Sequence, residues 1–343
     1  MIPIIFGSSR SNPAKRIERI LKKDIKTILM LIDTPKRLHL GIIDPSGSLG
    51  RRFGSLGVGI EYGYLLRLEE SDRPEIIAEN DEDKKDIKDA LERMDRRFET
   101  GFDYYIKVER RIERHIGLGS TTQLKLAVGF GIAKLKKIDA EIEEISKVLG
   151  RGKNSGASTY VFKHGGFVID AGVRNGFPPL AFREEIPGDW AFLLIIPKLG
   201  RGLDEVEEKP IMSTVTSRSE IAEKISHRIL LGLIPAIRER KIEDFGRFLS
   251  EIQILVGKHF ENYQGGIFRE DLEVLTDFLR EKTFGFGQSS WGPTLYGLIY
   301  KKDYGNLKLQ AEDWLKSYGI SASVELGIPR NHGAKIFQQS ESE

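Results

Sequence analysis

Residues 115–121 read His-Ile-Gly-Leu-Gly-Ser-Thr, and an apolar-periodic run follows, with Leu124, Ala127, Val128, Gly131 and Leu135 on one stripe. The spacing predicts a helix over residues 121–135 that opens directly from a glycine turn. A helix start leaves backbone N–H groups unpaired and carries partial positive charge. Glycines let an anion approach those groups closely, so Gly117, Leu118, Gly119, Ser120 and Thr121 read as a diphosphate-binding segment. The string lacks the Gly-Lys-[Ser/Thr] ending of a P-loop and the Gly-x-x-Gly spacing of a dinucleotide fingerprint. Alone, a glycine turn with a serine cap explains it equally well, so its meaning depends on what flanks it.

Upstream, Leu38, Leu40 and Ile42 alternate with Arg37, His39 and Gly41, which is strand periodicity. Six glycines follow from Gly47 to Gly63, and residues 58–68 read as one further strand. Of the 31 residues from Glu69 to Glu99, 20 are charged, yet Ile87, Ala90, Leu91, Met94 and Phe98 keep a helical stripe, as in a solvated amphipathic helix. A short strand is expected at 102–108. Downstream come a glycine cluster at 150–156, strands at Phe167–Asp170 and 191–196, and the breakers Pro178, Pro179, Pro187 and Gly188. The second half alternates helices (219–239 with a kink at Pro235, 242–258, 271–282, 307–318) with a glycine-rich turn at 285–292 and strands at 294–300 and 321–326. Two α+β domains are expected, at 30–188 and 189–337, with a polar tail at 338–343.

The composition limits the chemistry. With no cysteine among 343 residues, the chain holds no disulfide, thiolate nucleophile, iron–sulfur cluster or cysteine zinc site. The formal charge of +2 argues against a nucleic-acid partner. Residues 1–29 carry seven basic and two acidic side chains, a surplus of +5 that leaves the rest at −3. They read as a basic extension before a domain starting at Met30, with contact to RNA or another anionic partner as the other reading. The longest apolar run, residues 191–196, is far short of the ~20 residues that span a bilayer. With no signal-peptide pattern, a cytoplasmic protein without membrane partners is expected. Glycine, at 36 residues, exceeds the typical ~7% and gathers around the segments above.

Arg37-Leu-His-Leu-Gly41, the Gly-Leu-Gly-Ser helix start and a late glycine turn before a strand occur in an order that resembles the GHMP superfamily of small-molecule kinases. That resemblance implies a two-domain α+β fold, with an N-terminal ribosomal-protein-S5-like domain and a C-terminal ferredoxin-like domain. Many of these kinases carry Ser-Gly-x-Asp after the phosphate loop, with the Asp near the substrate hydroxyl. Here the stretch is Ser155-Gly156-Ala157-Ser158, and a serine cannot replace a carboxylate as general base at neutral pH. Five strings together resemble the beta-ribofuranosylaminobenzene 5'-phosphate synthase family: Arg37–Asp44, Gly150-Arg-Gly152 with Ser155-Gly156, His164-Gly-Gly-Phe167, Gln288-Ser-Ser-Trp-Gly-Pro-Thr294 and Asn331-His-Gly-Ala334. The resemblance covers about residues 30–337.

What it implies is a decarboxylating phosphoribosyltransferase of tetrahydromethanopterin biosynthesis. Such an enzyme joins phosphoribosyl pyrophosphate to 4-aminobenzoate or 4-hydroxybenzoate and releases CO₂ and pyrophosphate. A small-molecule kinase is the alternative. The growing charge on pyrophosphate calls for N–H donors and Mg²⁺, with Ser120 as the metal ligand; no organic cofactor is needed. Arg37, Arg51, Arg52 and Arg174 are candidate forks for a carboxylate or phosphate. His39, Asp44 and Asp170 are catalytic candidates, although a structural histidine and turn-capping aspartates explain them as well. Ser155 and Gly156 are further substrate-binding candidates, as are Gln288, Ser289, Ser290 and Trp291, with Trp291 stacking on the arene or packing in the core. A Gly119→Val change is expected to block the diphosphate and leave the fold intact. A homodimer is expected.

Overall fold

The computed structural model describes residues 29–198, 202, 205–215 and 219–339. The basic extension, save Leu29, and residues 340–343 of the expected tail lie outside the described residues. In chain order the first half comprises β1 (Leu29–Asp33), β2 (Lys36–Asp44), β3 (Phe53–Ile60), β4 (Leu65–Glu70), β5 (Glu75–Ile77), α1 (Asp81–Phe98), β6 (Tyr104–Arg110), α2 (Ser120–Leu135), α3 (Ile142–Val148), α4 (Ala157–His164), β7 (Phe167–Asp170) and β8 (Leu180–Glu184). The second half comprises β9 (Trp190–Pro197), α5 (Glu205–Thr214), α6 (Ser219–Arg228), α7 (Ile234–Arg238), α8 (Ile242–Gln264), α9 (Glu273–Lys282), β10 (Gly285–Gln288), β11 (Leu295–Tyr300), α10 (Tyr304–Ser317), β12 (Ala322–Gly327) and β13 (Lys335–Gln339).

Three sheets carry the strands: β13-β1-β4-β6-β5, β2-β3-β7-β8 and β10-β11-β9-β12. The acidic segment folds as read. Asn80 caps α1 by accepting the Asp83 N–H at 2.7 Å, and Ile87, Ala90, Leu91 and Met94 are buried. All eight residues of β9 are buried, which suits a central strand flanked by β11 and β12. Each fully buried Leu, Ile or Phe there is worth about 1.5–3 kcal/mol. Among the described residues no helix is long and apolar enough to cross a membrane.

Several expected boundaries move. The single strand at 58–68 is two, β3 and β4, because the chain turns at Gly63, where a Cβ would lie 2.4 Å from the Thr34 and Pro35 carbonyls. The helix at 219–239 runs through a π-helical turn, Ile229–Leu233, and Pro235 sits in the first turn of the α-helical piece after it, where its missing N–H is tolerated. Residues 285–288 form a strand and not a turn. The chain's last described segment returns to the first sheet: β13 pairs with β1 from Leu29↔Gln339 to Asp33↔Lys335. Leu29 is therefore part of the folded unit, and Gln338 and Gln339 belong to a strand rather than to a tail. Arg330, fully buried, locks this return by pairing with Asp33 at 2.8 Å and donating to the carbonyls of Asp33, Thr34 and Gly333.

Candidate functional site

The glycine turn does what its residues require. Gly117 and Gly119 lie at φ +88° and +77°, in the left-handed region that glycine adopts freely. A Cβ on Gly117 would sit 2.2 Å from the Ser289 carbonyl oxygen, so the turn is pressed against the 289–292 turn of the second half. Ser289 and Thr294 fasten that contact. Ser289 accepts the His39 N–H at 2.9 Å and donates to the Gly117 carbonyl at 2.7 Å; Thr294 donates to the Ile116 carbonyl at 2.5 Å. The first bond of α2 runs from the Gln123 N–H to the Gly119 carbonyl at 3.1 Å, and no side chain caps the helix. The amides of Ser120, Thr121 and Thr122 thus precede the helical ladder.

These amides open on a cleft with two connected lobes. The loop lobe, about 160 Å³, is lined by His115, Gly117, Gly119, Ser120 and Thr121. The larger lobe, about 340 Å³, is lined by the 150–155 segment, Ser158, Lys209 and Met212. Arg37, Thr122, Arg151, Glu208, Ser290 and Trp291 border both. Helix α5 and the residue after it form the roof: Met212 and Val215 pack with Ile42, Phe53, Phe260 and Trp291, and Arg52 donates to the Met212 carbonyl at 3.2 Å.

The electrostatics are those of an anion site. Arg37 is held from two sides, its Nε donating to Ser158 Oγ at 2.9 Å and its backbone N–H to the Leu118 carbonyl at 3.0 Å. Arg151 donates from Nε to Thr122 Oγ1 at 3.0 Å. Both keep some exposure to the cleft, but protein surrounds their guanidinium groups. For Arg37 this desolvation, opposed by Glu208 and reinforced by Arg151, pulls the pKa down to about 10. Arg151 is lowered by the same burial, with Asp86 and Glu208 opposing. Two desolvated cations beside three helix-start amides favour a ligand with several negative charges.

The sequence-derived candidates divide accordingly. Arg37, His39, Gly117, Gly119, Ser120, Thr121, Ser155, Ser290 and Trp291 line one lobe or the other. Leu118 is a core residue whose carbonyl holds Arg37. Arg51 donates to the Gly172 carbonyl and Arg52 to the Pro45 carbonyl, while Arg174 is exposed; none of the three is on the cleft wall. Asp44 caps its own turn, accepting from Ser46, Gly47 and Ser48. Burial raises its pKa, but these bonds together win and leave it below the usual range. Asp170 is fully buried, accepts from Ser55 and from the Gly156 and Gly172 N–H groups at 2.9 Å, and does not line either lobe. Ser289 is a buried staple. Arg151, Thr122, Glu208 and Lys209 escaped the sequence reading: Arg151 stood inside a string read for its glycines and for a family resemblance, with no role given to the arginine, and nothing local marks the other three.

Comparison with known proteins agrees with this fold. The descriptions "GHMP kinases N terminal domain" and "GHMP kinases C terminal" match residues 85–166 and 233–319. Galactokinase from Lactococcus lactis, solved with galactose, superposes with a TM-score of 0.70 at 14% identity, covering 94% of this chain and 98% of that one. Mevalonate kinase from Methanococcus jannaschii gives 0.60 at 16% identity, covering 87% and 98%. Fold and loop-headed cleft define a member of the GHMP superfamily. Within it, the beta-ribofuranosylphenol 5'-phosphate synthase of Methanocaldococcus jannaschii is 31% identical across 90% of this chain and all of its own length. That of Archaeoglobus fulgidus is 28% identical across 90% and 99%. The chain belongs to the beta-ribofuranosylphenol 5'-phosphate synthase family.

Proposed function

We propose that the cleft joins the anomeric carbon of phosphoribosyl pyrophosphate to 4-hydroxybenzoate, with loss of pyrophosphate and CO₂. The observation that carries this is the pairing of Arg37 and Arg151 with the α2 amides, at a place where the kinase motif would put a carboxylate and this chain has Ser158. The relatives' printed names, which specify a ribofuranosylphenol, support the hydroxy acceptor over the amino one.

The pyrophosphate sits on the amides of Ser120–Thr122 and Arg37, and the ribose 5-phosphate extends toward Arg151, Lys153 and Lys209. As the C–O bond to pyrophosphate breaks, its electron pair leaves on oxygen, where preorganised N–H groups receive it. The ring carbon bearing the carboxylate attacks the anomeric carbon, and the C–CO₂ pair then restores aromaticity. Glu208 is the carboxylate among the described lining residues of both lobes, where it would stabilise a cationic anomeric carbon. Among the described residues no three His, Asp or Glu side chains form a metal cage. Mg²⁺ needs none, since it binds through one or two protein groups plus substrate phosphates, and Ser120 and Glu208 on the loop lobe fit that role. It would neutralise charge on the pyrophosphate. The reading includes a homodimer, which light scattering of the full chain tests.

The direct test is incubation with phosphoribosyl pyrophosphate and carboxyl-labelled 4-hydroxybenzoate. Labelled CO₂ should appear in step with pyrophosphate. ATP consumption on a small alcohol, without CO₂ release, would favour the kinase.

A further inference from the structure

Beyond Trp291 an apolar pocket of about 50 Å³ lies between β2, α8 and the 289–291 turn, adjoining the larger lobe, with which it shares His39, Ile42, Ser290 and Trp291 as lining. Ile42, Val256, Phe260, Phe268 and Trp291 form its apolar wall, and Phe260 meets Trp291 edge to face at 5.1 Å. Its glutamines at 253 and 288 are committed. Gln253 donates to the Leu40 carbonyl at 2.7 Å and accepts the Gln288 N–H at 2.9 Å; Gln288 donates to the Ser290 carbonyl at 2.9 Å and accepts the Arg269 N–H at 3.0 Å. His39 stands at the junction and lines both spaces. Its Nδ1 accepts the Gly41 N–H at 3.3 Å, so the neutral ring carries its proton on Nε2. Burial first, and Arg37 second, keep the ring neutral.

Resting on the synthase reading, we propose that the para end of the acceptor ring enters this pocket and that the His39 Nε2–H donates to its para oxygen, which makes His39 the residue that selects a hydroxy acceptor over an amino one. The size sets the depth. A space of about 50 Å³ exceeds what one water needs but falls short of the ~150 Å³ that encloses a whole benzene. Only the para edge goes in, and the carboxylate-bearing carbon stays in the larger lobe beside the donor.

The electron count explains the selectivity. The phenol gives its proton to water on binding, and the N–H donor stabilises the phenolate. During attack the phenolate pair moves into the ring as the C1 pair bonds the anomeric carbon and pyrophosphate departs, leaving a dienone oxygen that still accepts from Nε2. Loss of CO₂ returns the C–CO₂ pair to the ring and the phenolate to oxygen, which is reprotonated on release. An amino acceptor would instead place positive charge on a nitrogen that faces an N–H donor, on the side of a histidine that already feels the charge of Arg37, which is unfavourable.

His39→Leu removes the donor and His39→Gln can retain one. With 4-hydroxybenzoate, His39→Leu should lose about 10- to 100-fold in kcat/KM, the value of a hydrogen bond to a charged group. With 4-aminobenzoate the change should be much smaller, and His39→Gln should recover part of the preference. Titrating 4-hydroxybenzoate into the wild-type protein should produce the red-shifted phenolate band, and His39→Leu should not, while still binding phosphoribosyl pyrophosphate. Equal losses with both acceptors, or no phenolate band in the wild type, would overturn the assignment and leave the synthase reading standing. A wild-type protein inactive with both acceptors would remove the synthase reading and this proposal together.

Discussion

Replacing Arg37 by Met should make the free protein more stable and the enzyme worse. Arg37 keeps its charge in a desolvated place, and its pKa falls from the usual guanidinium range to about 10. A lowered pKa penalises the protonated form of the folded protein, so the cost is fully present at neutral pH and lifts only as pH rises past about 10. At about 1.4 kcal/mol per unit, the ceiling is about 3 kcal/mol. The substitution forfeits the charge-assisted bond from Nε to Ser158, worth about 1.5–3 kcal/mol. A net gain of at most about 2 kcal/mol follows, read as a rise of up to about 4 °C in Tm. The second half of the experiment adds phosphoribosyl pyrophosphate at 100 times the wild-type Kd, which stabilises the wild type by about 2.7 kcal/mol. If Arg37 contributes one charge-assisted bond, affinity drops about 10- to 100-fold and the ligand increment shrinks to about 0.4–1.4 kcal/mol. A lower Tm in the free variant would show that Arg37 is a structural pillar. An undiminished ligand increment would place the donor elsewhere.

Two further substitutions probe the frame around the loop. Gly119→Ala should cost about 1–2 kcal/mol for a side chain at positive φ, and its Cβ, 3.2 Å from Arg37 Cβ, should weaken pyrophosphate binding measured by calorimetry. Gly119→Val is β-branched at φ +77°, so the expectation of an intact fold gives way to one of a clearly lowered Tm. Asp170→Asn should lower stability by about 1–3 kcal/mol in thermal unfolding, because its amide must turn an N–H toward either the Gly156 or the Gly172 N–H; an unchanged Tm would refute that role.

How much of this was legible depended on the range of the interaction. Local signals worked: the glycine turn opening α2, the stripe of α1 and the buried run of β9 are each set by neighbours in sequence. The glycines at 285–287 misled for a physical reason. They mark a strand pressed on a helix, since a Cβ on Gly285 would lie 2.1 Å from the Gly246 carbonyl and one on Gly287 2.4 Å from the Gln253 side chain. Long-range pairings left no local trace. β13 finds β1 across the whole chain, and Arg37 meets Ser158 from 121 positions away. For the same reason Arg51, Arg52 and Arg174 looked as good as Arg37, and Arg151 and Glu208 went unmarked.

The Arg37–Ser158 pair also accounts for how one scaffold can serve two chemistries. A kinase of this fold must draw a proton from a hydroxyl nucleophile, which favours a carboxylate beside the phosphate loop. A ring carbon that displaces pyrophosphate and sheds CO₂ has no proton to surrender at the reacting atom. The carboxylate then loses its purpose, and beside a donor with a phosphate and a diphosphate it would be repulsive. Serine at 158 removes that charge and accepts from the guanidinium at 2.9 Å, which turns the same corner of the cleft from negative to positive. The amide cradle of α2 suits either reaction, so on the proposed function the class of nucleophile would be decided at that corner and not at the loop.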